Sequence, residues 1–140
     1  MKGARHKSRE IALQALYEID AVGHSSENAL KQILSRVEVS NEVAGFSFEL
    51  VNGTIENLEQ LDQNIKDFAP AWPIDQISII DRNILRLAIF EILHDNKIPV
   101  KVVINEAVEL AKTFGSNNSS RFVNGVLGSV SSLISSKKKS

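Results

Sequence analysis

The chain has 140 residues, of which 43% are hydrophobic, and this suits one ordinary domain with a single buried core. It contains no cysteine, which excludes disulfide frameworks and thiolate metal sites and fits a reducing cytoplasm. No apolar run approaches the roughly 20 residues that span a bilayer, and the chain start lacks the apolar core of a signal peptide. We therefore expect a soluble cytoplasmic protein without a membrane segment.

The net charge of −1 conceals a strong segregation of charge along the chain. Residues 1–9 carry four Lys/Arg and no acid, whereas residues 10–81 carry three Lys/Arg and thirteen Asp/Glu. Residues 82–140 carry nine Lys/Arg and four Asp/Glu. This distribution lets one surface attract a polyanion while another attracts a basic protein.

Apolar residues at helical spacing predict three helices in the first half of the chain. The first covers Ser8–Asp20 and begins in the basic segment, and a short second one covers Glu27–Leu34. A long third helix is predicted from Asn41 to about Phe68, with Gly53 marking a kink or a break. Segment 70–73, which contains two prolines, ends this pattern because proline disfavours helix in the residue before it.

Three further helices are predicted in the second half. The first covers Asp81–Leu93, the second ends at Gly115, and the third covers Ser119–Leu133. Gly125 and Gly128 lie inside the last helix, where each costs about 1 kcal/mol relative to alanine. We therefore expect another backbone to approach closely at these two positions. No convincing strand pair and no internal repeat is present.

The sequence offers no catalytic motif. It has no Gly-rich phosphate loop, no GxSxG and no HExxH, and its three histidines are not spaced as metal ligands. Glu106 and Glu109 could be imagined as an acid/base pair, but beside Lys112 on a helix they are more simply a solvated, salt-bridged face. We expect no enzymatic activity, no metal and no cofactor.

Two clusters contain the groups that hold single-stranded RNA, which presents its phosphates to cations and its bases to aromatic faces. The basic cluster at the chain start comprises Lys2, Arg5, His6, Lys7 and Arg9. The second cluster, at the junction of the last two helices, comprises Phe114, Arg121 and Phe122. Both phenylalanines also fit apolar helix stripes, so burial in the core is an open alternative for each ring.

Three segments carry more specific detail than helix packing requires. They are DRNILRLA at 81–88, INEAVELAK at 104–112 and RFVNGVL at 121–127. Together they resemble the NusB family of bacterial transcription antitermination factors. The similarity extends from Arg5, through the helix at 12–17 and Trp72, to Leu127, which is nearly the whole chain.

The resemblance implies an all-α fold: a NusB-like domain of about seven helices in two small, orthogonally packed helical bundles, without enzymatic activity. Residues 1–134 then form one RNA-binding domain, and we expect 135–140 to be a disordered basic tail. The implied ligand is the single-stranded boxA element of nascent ribosomal RNA transcripts. The implied partners are NusE, a small-subunit ribosomal protein, and the antitermination complex of the elongating RNA polymerase.

The resemblance also assigns roles by position. RNA contacts fall on Lys2, Arg5, His6, Lys7 and Arg9, and on Phe114, Asn118, Arg121 and Phe122. Tyr17 and Asp81 fall on or near the face that receives NusE, and the acidic middle of the chain suits a basic partner. His6 stands where relatives often have arginine, and Asn118 where several have aspartate, so RNA affinity and base preference stay open.

Two alternatives from other classes remain. NusB-like domains also precede RNA cytosine methyltransferases, so the chain could be the RNA-recognition module of such an enzyme; the lack of a cofactor-binding βαβ pattern argues against this. A helical scaffold that binds only protein would use the acidic segment equally well. The family includes monomers and homodimers, and the sequence leaves the choice between them open.

Overall fold

The computed structural model describes residues 3–95 and 97–139. Within these ranges the backbone forms seven α-helices and no strand, which confirms the all-α expectation. The chain divides into two compact units, residues 1–57 and residues 58–140. None of the described helices has the length and apolarity needed to cross a membrane. The helices are α1 (Ala4–Val22), α2 (Ser26–Arg36), α3 (Asn41–Glu56), α4 (Leu58–Phe68), α5 (Ile79–Phe90), α6 (Val100–Phe114) and α7 (Ser119–Lys139).

The first unit is a bundle of α1, α2 and α3. Its core is aliphatic, and Leu13, Leu16 and Leu50 are almost completely buried. Each such side chain contributes about 1.5–3 kcal/mol to stability through removal of apolar surface from water. The buried Ser8 hydroxyl donates to the backbone oxygen of Val43 over 2.9 Å, so a hydrogen bond also fastens α1 to α3.

Short polar turns connect these three helices. Gly23 ends α1 with a φ of 84°, a left-handed conformation that glycine adopts without steric cost. Ser25 accepts a hydrogen bond from the backbone N–H of Asn28 and so caps α2. Ser40 accepts from the backbone N–H of Val43 in the same way and caps α3, each distance being 3.2 Å.

The segment predicted as one long helix with a kink or break at Gly53 forms two helices, and the break lies at Asn57 rather than at Gly53. Asn57 is the C-cap of α3: its backbone N–H makes a last helical hydrogen bond to the Gly53 oxygen over 3.2 Å, and its side-chain Nδ2 donates to the same oxygen over 2.8 Å. Gly53 itself stays helical. The break therefore follows four residues later, where an asparagine side chain competes with the backbone for the carbonyl.

Helix α5 is the centre of the second unit and packs against α4, α6 and α7. Nine of its twelve residues are buried. Its apolar side chains, such as Leu85, Leu87 and Ile89, project from several sides of the helix, as is typical of a helix enclosed by its neighbours. The chain is helical past Leu93, as predicted, but its α-helical part ends at Phe90. After Phe90 the backbone forms a π-helical turn, Glu91–Asp95, which inserts an extra residue into the helical turn.

The glycines of α7 do not mark a close backbone approach, so that prediction is wrong. Gly125 and Gly128 are both exposed, and a Cβ added to either would meet nothing within 4 Å. Helix α7 continues to Lys139, because residues 129–139 contain neither glycine nor proline to end it. The helix thus enters segment 135–140, whose disorder stays a prediction.

Candidate nucleic-acid interface

The first turns of α1 carry the predicted basic cluster and pack it on an aromatic ring of α3. The Arg5 guanidinium lies 4.1 Å from the ring centroid of Phe46, and the Arg9 guanidinium lies 5.9 Å from the same centroid. These distances place both cations in range of the electron-rich ring face. Nη1 of Arg5 is buried and has no hydrogen-bond partner among the described residues. Phe46 therefore serves as the platform for Arg5 and Arg9.

The cationic side chains of this cluster differ in how far solvent reaches them. Lys7 is exposed and Arg5 is half-buried. In contrast, only 9% of His6 and 3% of Arg9 are exposed. Lys2 lies outside the described residues. Positive charge is consequently presented by Lys7 and in part by Arg5, whereas Arg9 is enclosed beside the Phe46 ring.

A tight turn joins α6 to α7 and requires the glycine at its first position. Gly115 has an extended backbone, with φ −93° and ψ −170°, so a left-handed conformation is not the reason. Instead, a Cβ on Gly115 would collide with the Ser119 side chain and lie 2.7 Å from the Ala111 oxygen. Ser119 Oγ, which is buried, also accepts from the Ser116 N–H over 2.9 Å. This packing holds Asn118 at the exposed tip of the turn.

The start of α7 and the turn after α4 enclose a shallow groove, which we call the aromatic groove. The rings of Trp72 and Phe122 meet edge to face, with centroids 5.8 Å apart and planes at 74°. Arg121 is exposed at the same place. The groove has a volume of about 340 Å³ and is lined by residues 68–72 of the turn and by Arg121, Phe122, Gly125 and Val126 of α7.

The two phenylalanines of the predicted cluster are both half-buried. Each ring therefore contributes to packing and still reaches the surface, which answers the alternative of complete burial in the core. Phe122 belongs to the aromatic groove with Arg121, whereas Phe114 is the last residue of α6, before the Gly115 turn. Phe114, Asn118, Arg121 and Phe122 thus all border the α6–α7 junction.

The two residues assigned to a protein partner lie in different environments. Tyr17, on α1 in the first unit, is 40% exposed. Asp81, on the first turn of α5 in the second unit, is only 8% exposed, and its N–H donates to Ser78 Oγ over 3.2 Å. Its Oδ1 is buried without a hydrogen-bond partner among the described residues. Tyr17 is therefore accessible to a partner protein, and Oδ1 of Asp81 can accept a further hydrogen bond.

The carboxylates considered for acid/base chemistry lie on a solvated face of α6. Lys112 Nζ lies 3.7 Å from Glu109 Oε1, and both side chains are well exposed. This confirms that Glu109 belongs to a surface ion pair. In the described ranges, no three His, Cys, Asp or Glu side chains are grouped so that they could hold a metal ion.

Sequence reasoning missed two residues of these surfaces, Phe46 and Trp72. The helical pattern gave Phe46 only as an apolar position of α3, and nothing in the sequence pairs it with Arg5. Trp72 enters the sequence analysis through the proline-containing interruption of the helical pattern and the span of the family resemblance, without a binding role. A large aromatic residue between two prolines was nevertheless a usable signal, because such a segment places the ring in a turn at the surface.

The fold and these surfaces define a small all-α protein whose candidate site combines exposed cations with accessible rings. The NusB family profile matches residues 6–132. The transcription antitermination protein NusB of Dehalococcoides mccartyi is 55% identical over 139 residues, which cover 99% of this chain and 97% of that protein. The chain belongs to the NusB family, a non-catalytic family of transcription antitermination factors.

Solved structures agree with this assignment. NusB from T. maritima superposes with a TM-score of 0.83 at 34% identity, covering 91% of this chain and 90% of that one. A crystal structure of the antitermination factors NusB and NusE in complex with double-stranded RNA contains a chain with a TM-score of 0.85 at 25% identity. That similarity covers 93% of this chain and 97% of the other.

Proposed function

We propose that this chain is a non-catalytic RNA-binding adaptor in transcription antitermination. It binds the single-stranded boxA element of nascent ribosomal RNA transcripts in the cytoplasm. It does so together with NusE, and it couples the RNA to the elongating RNA polymerase. The observation that carries the proposal is the α6–α7 junction, where an exposed cation and an accessible aromatic ring adjoin.

The chemistry of this junction matches the needs of an unpaired strand. Arg121 is exposed and can pair with a phosphate, while the half-buried Phe122 ring offers a surface on which a base can stack. Asn118, at the tip of the turn, has both a donor and an acceptor for a base edge. Phe114, at the end of α6, completes the set that we assign to RNA.

The first unit supplies further phosphate contacts in this proposal. We assign them first to Lys7 and Arg5, because their charges reach solvent. His6 and Arg9 belong to the same assignment, although both are buried. Arg9 acts mainly by packing beside Phe46 and so supporting the cluster. Lys2 is included by sequence position alone.

The proposed protein partner is NusE. A relative of similar fold occurs in complex with NusE and RNA, and residues 10–81 of this chain carry thirteen acids against three Lys/Arg, which would attract a basic ribosomal protein. We assign Tyr17 and Asp81 to this contact. A homodimer is the competing assembly, and light scattering of the protein with and without NusE distinguishes the two.

A binding assay with labelled boxA RNA tests the function. We expect the chain to bind boxA RNA more tightly than a scrambled strand, and to bind it more tightly still when NusE is added. The logarithm of affinity should fall with the logarithm of salt concentration, with a slope of about −0.7 for each phosphate contacted. If the chain forms a complex with NusE but binds no RNA with or without it, the protein is a scaffold that binds only protein.

A further inference from the structure

We infer that the aromatic groove is a seat for one unpaired base of the bound RNA, and that Trp72 is the ring on which this base stacks. The inference rests on the proposed RNA-binding function and deepens it, because it adds a base-binding residue that belongs to neither predicted cluster. All residues of the groove belong to the second unit.

The first argument is the accessibility of the indole ring. Trp72 is 54% exposed, although tryptophan is the largest apolar side chain in the protein and burial would stabilise it. Phe122 meets it edge to face, with the ring planes at 74°, and so can cover at most one indole face. An indole that is more than half exposed and has at most one face covered by Phe122 can offer a surface on which a base stacks.

The second argument is that the turn carrying Trp72 is already fixed. The Trp72 N–H donates to the Ala69 oxygen over 3.0 Å, and the Ala69 N–H donates to the Ile65 oxygen over 2.8 Å. Pro70 and Pro73 restrict the backbone on both sides of the ring. A turn whose backbone is fixed before the ligand arrives loses little backbone conformational entropy on binding.

The third argument is the chemical character of the groove. Its volume of about 340 Å³ is at the lower end of ordinary small-ligand pockets and accommodates one planar ring system. Among the residues that the structure describes, the lining is mainly apolar and includes no acidic residue, and Arg121 is its one charged member. An apolar seat with a cation at its edge suits a base whose attached phosphate is negative, and it suits an acidic or neutral peptide less well.

The wild-type protein itself provides the first test, because Trp72 is the one tryptophan of the chain and its fluorescence reports on this site alone. We expect saturating single-stranded boxA RNA to quench the emission. A set of strands, each with one abasic position, should include one that still binds but restores the emission. When NusE is added, the emission of NusE alone is subtracted.

Substitution of the ring gives the second test. Trp72→Ala should weaken RNA binding by about 5- to 150-fold, the range expected for loss of one base–aromatic stack, while Trp72→Phe retains most of the affinity. The salt dependence should not change, since no cation is removed. Phe48→Ala, which removes another partly exposed ring from α3, serves as the control and should leave binding unchanged. Circular dichroism verifies that each variant is folded.

Blocking the groove without touching Trp72 gives the third test. A Cβ added at Gly125 meets no atom within 4 Å, and Gly125 lines the groove, so Gly125→Leu should fold and obstruct the groove, with a loss of affinity similar to that of Trp72→Ala. Gly128→Leu is the matched control, because Gly128 is equally open on the same helix but does not line the groove. We expect it to bind RNA normally.

The possible outcomes separate this inference from the function on which it rests. If RNA binds with the expected salt dependence but Trp72 emission and the affinities of the groove variants do not change, the base seat is wrong and the adaptor function stands. If the groove variants lose NusE binding and keep RNA binding, the groove is a protein-docking site. If the wild-type chain binds no RNA even with NusE, both proposals fall.

Discussion

Arg86 on α5 donates hydrogen bonds to both carboxylate oxygens of Asp62 on α4: Nε lies 2.7 Å from Oδ1 and Nη2 lies 2.9 Å from Oδ2. The guanidinium side chain is 9% exposed and the carboxylate side chain 28%. A bidentate pair with this little solvent is held more firmly than an ordinary surface ion pair. It fastens the central helix of the second unit to its neighbour.

Removing one member of this pair should destabilise the protein. We expect Asp62→Ala to lower the free energy of unfolding by about 2–3 kcal/mol, because a largely buried guanidinium loses its bidentate carboxylate partner. Urea unfolding followed by Trp72 fluorescence measures this, since Trp72 lies in the same unit. Lys112→Ala, which removes an exposed pair in that unit, should change the free energy by less than about 0.5 kcal/mol. Equal losses in the two variants would contradict the assignment.

Two cations of α1 should respond differently to substitution. Lys7→Ala should reduce the slope of the log-affinity against log-salt plot by about 0.7, which corresponds to one phosphate, and leave stability unchanged. Arg9→Ala should instead lower the free energy of unfolding by about 1–3 kcal/mol, because the enclosed side chain packs beside Phe46. Fluorescence anisotropy of labelled boxA RNA at roughly 50 to 200 mM salt measures the slope. Thermal unfolding measures the change in stability. An Arg9→Ala protein of unaltered stability would show that burial of this arginine is not structural.

The α6–α7 turn should tolerate no side chain at its glycine. Gly115→Ala should destabilise the protein by about 1–3 kcal/mol, because the new methyl group displaces Ser119. It should also weaken RNA binding, since Asn118 and Arg121 move with the turn. Gly128→Ala is the opposite control: its Cβ meets open space, and helix propensity predicts a gain of up to about 1 kcal/mol. The paired measurement is thermal unfolding, and a gain in both variants would disprove the steric argument.

Tyr17 offers a test of the protein partner that leaves RNA contacts intact. Tyr17→Ala should weaken NusE binding about tenfold, equivalent to about 1.4 kcal/mol, as loss of an exposed aromatic contact at an interface does. Binding of boxA RNA without NusE should not change. Val22→Ala on the same helix, also exposed, is the control for loss of apolar surface. Calorimetric titration with NusE measures both, and an unaffected Tyr17→Ala protein would place the contact elsewhere.

The sequence predicted the helical content well and the helix ends less well. Periodic apolar residues such as those of α5 and α6 are a strong signal, because a buried helix must repeat its apolar side chains every turn. The break was expected at Gly53 and lies at Asn57, whose side chain donates to the Gly53 oxygen, and an asparagine inside a helical pattern gives no signal of such a hydrogen bond. The π-helical turn at 91–95 also escaped, because the few apolar positions of a single turn do not show whether its hydrogen bonds are α-helical or π-helical.

The sequence predicted the charged residues of the candidate site but not the tertiary contacts that they make. The cations at Arg5 and Arg121 and the ring of Phe122 are visible as residue types near helix starts. The pairing of Arg5 with Phe46, and of Phe122 with Trp72, joins residues about 41 and 50 positions apart along the chain. Composition and spacing report only local neighbours, so such partners become visible only when the chain is folded. The glycines of α7 show the same limit: their helix cost was correctly noted, but open solvent was mistaken for a neighbouring backbone.

The separation of the chain at Asn57 also bears on its biosynthesis. Because the first unit is contiguous in sequence, α1, α2 and α3 have all left the ribosome before much of the second unit is made. Translation of the following 83 residues takes about 4 to 17 s at ordinary bacterial and eukaryotic rates, whereas helical bundles fold within micro- to milliseconds. The nascent polypeptide therefore has time to complete its amino-terminal bundle while the carboxy-terminal helices are still being synthesised.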